Sequence, residues 1–188
     1  MKKLLIVVDM QKDFVTGTLG SPQAERIVPA VKAKVGEYKR RGDRVIFTRD
    51  THTENYLDTQ EGRRLPVIHC VAGTEGHEII DELDTEGCEI FDKPTFGSLE
   101  LAGFVAAENE AEAAKENVKE GFCEIELCGL CTDICVVSNA LILKARLPET
   151  KISVDPACCA GVSEEGHEAA LLTMRTCQVD IRNENLPG

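Results

Sequence analysis

Basic residues are scarce in this chain of 188 residues: 21 lysines and arginines stand against 33 aspartates and glutamates, a net charge of −12. Phosphate recognition needs clustered cations, so nucleic acid is excluded as a partner. An anionic membrane surface is disfavoured for the same reason. Long apolar runs are missing as well. The opening MKKLLIVVDMQKDF starts like a secretory signal, but its apolar stretch stops at Asp9. That is too short for a signal core or a membrane span. No repeat, low-complexity tract or linker marks a second unit. The expectation is one cytoplasmic domain over residues 1–188, with 43% hydrophobic residues to fill its core.

The cysteines, nine in all, are odd in number. In a cytoplasmic chain they are expected reduced rather than paired. A disulfide among Cys128, Cys131 and Cys135 is therefore disfavoured.

Short β-branched runs alternate with longer amphipathic ones. Strands are predicted over 3–10 (KLLIVVDM), 43–50 (DRVIFTRD), 88–93 (CEIFDK), 123–130 (CEIELCGL), 151–158 (KISVDPAC) and 178–181 (QVDI). Helices are predicted over 22–41, 75–83, 98–119, 133–146 and 163–176, the last with Ser163 as N-cap. Such alternation predicts an α/β fold of three layers, α/β/α, around a mostly parallel sheet of about six strands. Ligands of such sheets bind at the carboxyl ends of the strands. The polar residues there are Asp9, Asp50 with His52, Lys93, and the turn from Cys131 to Cys135.

Each has a functional and a plain reading. Cys135 falls in the first turn of a predicted helix, where free N–H groups and the dipole stabilise a thiolate and a developing oxyanion. A buried structural cysteine is the other reading. Cys128 and Cys131 form C-x-x-C, but no second half at zinc spacing accompanies them, and packing is the simpler role. Asp9 ends an apolar strand, where a carboxylate is costly unless paired or functional. As a base beside Cys135 it would take the thiol proton, and Lys93 would balance the charge. A solvated strand end is the plain reading of both. Asp50 and His52 form D-x-H, which an extended chain puts on one face as a start to a zinc, iron or manganese site. His69 adds a further imidazole, and Glu61 lies between in a loop-like stretch; D-x-H facing solvent is the alternative. His77 and His167 are expected at the surface.

Together these stretches resemble the isochorismatase-like cysteine hydrolases, and within them the nicotinamidases. VVDMQKDF is similar to the opening V-D-x-Q-x-D-F, TRDTH with PVIHCVAGTEGHE to the nicotinamidase metal segment, DKPTFGS to the lysine segment, and CGLCTDICV to the C-G-x-x-T-D-x-C-V nucleophile motif. The resemblance covers nearly the whole chain. It implies a Rossmann-like hydrolase fold. It also implies Asp9 as acid/base, Lys93 as charge stabiliser and Cys135 as nucleophile. Asp50, His52 and His69 become ligands of one divalent metal, with Glu61 a further candidate. Zinc is favoured, with iron or manganese as alternatives. A cis bond at Leu130–Cys131 is implied, aiming the N–H groups of Cys131 and Cys135 into an oxyanion hole. Phe14 becomes an apolar wall of the substrate pocket.

The implied activity is hydrolysis of nicotinamide to nicotinate and ammonia through a thioester, by a homo-oligomer (dimer or tetramer). Relatives acting on ureido, carbamoyl or maleamate-type amides share the acid–lysine–cysteine set but generally lack the metal residues. Some nicotinamidases carry tryptophan three residues before the histidine of the H-C pair. Here Pro66 stands there, and the chain has no tryptophan at all. A non-catalytic metal- or redox-responsive protein built on Cys128, Cys131 and Cys135 is the reading from another class.

Overall fold

The computed structural model describes residues 2–182. Helix α1 (Lys12–Val15) follows strand β1 (Lys2–Val8); then come α2 (Pro22–Arg41), β2 (Arg44–Asp50), α3 (Gln60–Arg64) and β3 (Glu89–Lys93). The second half holds α4 (Leu99–Glu116), β4 (Phe122–Leu130), α5 (Val137–Arg146), β5 (Ile152–Ala160), α6 (Glu164–Thr176) and β6 (Asp180–Ile181). Among the described residues the sheet has six strands in the order β3-β2-β1-β4-β5-β6, every pair parallel. This is the doubly wound order, with its reversal between β1 and β4. Helix α2 packs across β1, β2, β4 and β5, while α4, α5 and α6 form the opposite layer.

Local chemistry explains the elements. Leu4 to Val8 are buried on both faces of the sheet, so β1 is a continuous apolar run. Helix α2 begins with Ser21, whose Oγ accepts the Ala24 N–H at 3.1 Å, followed by Pro22 at the first helical position. It ends at Gly42 in the left-handed region (φ 72°), after Lys39, Arg40 and Arg41 in the last turn. Its buried residues Ala24, Ile27, Val31, Val35 and Tyr38 recur at helical spacing. Ser163 caps α6 as expected, accepting the Gly166 N–H at 3.0 Å. No helix among the described residues is long and apolar enough to cross a membrane.

Two local expectations are corrected. The helix expected over 75–83 is only a 3-10 turn at Glu75–His77. Beyond it the chain is extended against residues 10–12: Lys12 N–H donates to the Glu78 carbonyl and Ile80 N–H to that of Met10. Tertiary pairing therefore takes the backbone groups that a helix would have used. The stretch around Glu61 is α3, not loop; Thr59 Oγ1 caps it by accepting the Gly62 N–H at 2.9 Å.

Candidate active site

Four strand ends meet at the reversal of strand order. Asp9 directly follows β1 with φ 48°, a conformation few residues other than glycine adopt but aspartate tolerates. Beside it, Gly129 of β4 pairs with Val8 at φ 115°. A Cβ there would overlap the Val8 carbonyl, so only glycine lets the two strands close up at this point. The Leu130–Cys131 bond that follows is cis. The chain then winds through a π-helical turn, Thr132–Val136, which carries Cys135 into α5. On the other side Asp50 and Lys93, the last residues of β2 and β3, sit opposite each other in register.

Asp9, Lys93 and Cys135 come together out of water, with exposures of 0%, 1% and 5%. Lys93 Nζ lies 2.6 Å from Asp9 Oδ2 and 3.4 Å from Cys135 Sγ. The Thr48 hydroxyl donates to Asp9 Oδ1 at 2.5 Å. Neither Asp9 nor Lys93 is the solvated strand end of the plain reading. Burial, with Asp50 adding to it, raises the Asp9 carboxyl above its usual range against the pull of Lys93. Burial alone would lower the Lys93 ammonium, but Asp9, Cys135 and Asp50 outweigh it and hold the proton firmly. Burial and then Asp9 push the Cys135 thiol well above its usual range, against the pull of Lys93, which fits a thiol that gives up its proton to a neighbouring base.

The second cluster shares Asp50. One ligand atom from each of Asp50, His52, Glu61 and His69 lies within 4.8 Å of all the others. Asp50 Oδ2 is 2.9 Å from His52 Nε2 and 3.7 Å from His69 Nε2, and His52 Nε2 is 3.7 Å from Glu61 Oε1. Ligand bonds of about 2.1 Å around a tetrahedral ion put neighbouring donors roughly 3.4 Å apart, so these spacings suit one divalent metal. His52 Nε2 is buried without an aligned hydrogen-bond partner, as a ligand atom without its ion would be. His69 Nδ1 is 2.7 Å from the Val67 carbonyl, which can only accept; Nδ1 therefore carries the proton and Nε2 is left for a metal. Burial would raise the Asp50 carboxyl, but His52, His69 and Lys93 outweigh it and hold it well below the usual carboxylate range. No thiol belongs to any such group among the described residues, which disfavours a metal protein built on Cys128, Cys131 and Cys135.

Both clusters open into a cleft of about 810 Å³ lined by Phe14, Phe96, His69, Cys131 and Cys135 among others. Phe14 stands 5.5 Å from the His69 ring, between centroids. Cys131 is half-buried, packing against the core as expected and also lining the cleft, whereas Cys128 is fully buried in β4. His77 is buried, not exposed, with Nε2 2.9 Å from Thr51 Oγ1. His167 is half-buried and bonds Thr132 Oγ1 at 2.8 Å. Sequence reasoning passed over Thr48, and also Tyr56, whose ring packs 4.5 Å from His52 and 5.0 Å from His69. The alternation of Thr48 and Asp50 on one face of β2 was the available signal for Thr48. Tyr56 gave none.

A doubly wound parallel sheet with a buried acid, amine and thiol at its switch point defines the class: an α/β enzyme. An Isochorismatase domain model matches residues 3–184. The nicotinamidase of Schizosaccharomyces pombe is 28% identical over 97% of this chain and 94% of its own. The pyrazinamidase of Pyrococcus horikoshii, solved in complex with zinc, superposes with a TM-score of 0.77 at 29% identity, over 96% of this chain and 98% of that one. The N-carbamoylsarcosine amidase of Thermoplasma acidophilum has a TM-score of 0.77 at 25% identity, over 100% of both chains. The chain belongs to the isochorismatase family, and within it is an amide-hydrolysing enzyme.

Proposed function

We propose that the chain is a nicotinamidase, a single hydrolase domain that converts nicotinamide and water to nicotinate and ammonia for pyridine-nucleotide salvage. The observation that carries this reading is the double role of Asp50. Its Oδ1 lies 3.4 Å from Lys93 Nζ, in the catalytic cluster, and its Oδ2 lies 2.9 Å from His52 Nε2, in the metal cluster. A metal held by Asp50, His52 and His69, with Glu61, would supply a Lewis-acidic anchor for the substrate's pyridine nitrogen. Zinc suits this donor set, as iron and manganese do. The zinc of the Pyrococcus pyrazinamidase favours zinc among the three.

The chemistry belongs to Asp9, Lys93 and Cys135. Asp9 takes the Sγ proton as the sulfur attacks the amide carbon. The carbonyl electrons move onto oxygen, which the backbone N–H groups of Cys131 and Cys135 receive. Lys93 keeps Asp9 ionised until the attack and offsets the negative charge after it. The tetrahedral adduct collapses, the C–N bond breaks, and ammonia leaves with the proton held by Asp9. Asp9 then takes a proton from water, whose oxygen attacks the thioester. Collapse releases nicotinate, and the sulfur recovers its proton from Asp9. Phe14 bounds the ring on its apolar side. The upward push on the Cys135 thiol is consistent with proton transfer that accompanies attack instead of preceding it. A cytoplasmic location is part of the proposal and is supported by nine free cysteines.

The likeness to N-carbamoylsarcosine amidase favours one other reading, hydrolysis of a ureido, carbamoyl or maleamate-type amide by the same three residues. The two separate in acid-quenched mixtures analysed by mass spectrometry. With nicotinamide, a nicotinoyl group is expected on the peptide carrying Cys135. Labelling by a ureido or carbamoyl substrate alone would favour the other reading.

A further inference from the structure

Gln11 is fully buried, and its carboxamide is satisfied by three backbone groups. Nε2 donates to the Asp50 carbonyl at 2.8 Å and to the His77 carbonyl at 2.9 Å. Oε1 accepts the Asp50 N–H at 2.7 Å. Two carbonyls can only accept, so the amide has one possible orientation. Asp50 is thus gripped at both its N–H and its C=O by one side chain.

Two residues on, Asp13 reaches the same loop from the other end. Its Oδ2 accepts the Cys70 N–H at 2.8 Å, next to His69. Cys70 has φ 46°, a conformation its own side chain disfavours. Gly76 leaves the space that the Asp13 carboxylate fills; a Cβ there would overlap it. The loop also fixes His52, whose N–H donates to the Cys70 carbonyl at 2.9 Å and whose carbonyl accepts from Ala72 N–H at 2.9 Å. Residues 78–80 return alongside residues 10–12. The three strongest ligand candidates, Asp50, His52 and His69, are therefore all tied to the short segment that begins with Asp9.

We propose that Gln11 and Asp13 are positioning residues of the metal site: Gln11 sets Asp50, Asp13 sets the His69–Cys70 corner, and together they hold the metal ligands at a fixed offset from Asp9. Neither touches substrate or the reacting atoms. The inference rests on the metal reading proposed above, and it deepens that reading by saying what fixes the ligand geometry. Partners that orient metal ligands typically carry a 10–100-fold effect on affinity.

The test uses the full chain stripped of metal and titrated with Zn2+ against a chromophoric chelator. Gln11→Met removes all three hydrogen bonds at similar volume, Gln11→Glu keeps only the acceptor, and Asp13→Asn weakens the Cys70 contact. A second measurement follows iodoacetamide alkylation of Cys135 in the metal-free proteins. The expected result is zinc affinity lowered about 10–100-fold in Gln11→Met and Gln11→Glu, and less in Asp13→Asn, with alkylation rates unchanged. Unchanged zinc affinity in both Gln11 variants would overturn the proposal. A parallel change in zinc affinity and in Cys135 alkylation would also overturn it, since it would show a general loss of structure. If the unaltered chain binds no zinc, the metal reading itself fails, and that outcome is distinct from the other two.

Discussion

Burial first, and then the Asp9 carboxylate, push the pKa of Cys135 up, while the Lys93 ammonium pulls it down. The two neighbours therefore have opposite expected effects on thiol reactivity. Lys93→Met removes the cation, raises the thiol pKa further and slows alkylation of Cys135 at neutral pH. Asp9→Asn removes the anion, lowers the thiol pKa and speeds alkylation. It also removes the proton carrier, so turnover falls by about 10²–10⁴-fold. Iodoacetamide kinetics on the two variants, read by peptide mapping, check the pair. Alkylation that slows in Asp9→Asn would contradict the assigned charges. The same carboxyl sets the acid limb of activity. Its pKa lies above the usual value of about 3.9 because burial disfavours the charged form. Asp9 must be ionised to accept the proton, so kcat/KM falls as pH drops, with its midpoint above that of an ordinary aspartate. At this scale much was legible. Asp9, Asp50, His52, Lys93 and Cys135 each stood at a strand end, where a polar group is conspicuous. Thr48, Gln11 and Tyr56 were not, because their roles lie in hydrogen bonds and ring contacts to residues distant in sequence.

Element by element, the sheet is held by more than apolar packing. Glu124 and Glu126 of β4 are both buried, and Glu126 is met by Lys34 and Tyr38 of α2. Glu124 is met by Lys3 Nζ and Arg182 Nη2, each at 2.7 Å, and by the Ser153 hydroxyl at 2.8 Å. Burial alone would raise its carboxyl, but Lys3, Ser153 and Arg182 hold it down to about 2. A folded-state pKa below the unfolded value of about 4.3 adds stability above that pH, which is lost as pH falls towards 2. Glu124→Gln is expected to cost about 1–3 kcal/mol at neutral pH. The loss should shrink as both proteins are acidified, and urea unfolding at pH 7 and pH 3 measures it. A loss that stayed constant with pH would remove the carboxylate from the account. The strands of this network were recognisable from β-branched runs. Its charges were not, because acidic residues within a strand give no sign of where their counter-ions lie. The missing helix at 75–83 has a similar cause: Ile79 and Ile80 suit either structure, and pairing with residues 10–12 decides between them.

At the scale of the whole molecule, the strand order brings the chemistry together. β1 and β4 are adjacent and their connections leave in opposite directions, which opens a crevice at their carboxyl ends. Residues as far apart in sequence as Asp9 and Cys135 meet there. Alternating strand and helix patterns sufficed to foresee a parallel three-layer fold. Resemblance to a known family pointed to the same residues as the strand-end survey. Strand order, the cis bond's setting against Gly129, and the sharing of Asp50 between two clusters depend on long-range packing, and periodicity carries no trace of them. The central claim is that one crevice joins a cysteine amidase to a metal-anchored pyridine site. Ammonia release from nicotinamide by the zinc-loaded chain and by Cys135→Ala, each against protein-free buffer, is the deciding measurement. Steady release is expected from the unaltered chain, and from Cys135→Ala none above the rate in protein-free buffer. Release that persists in Cys135→Ala, or no release from nicotinamide by an unaltered chain that hydrolyses ureido or carbamoyl amides, would contradict it.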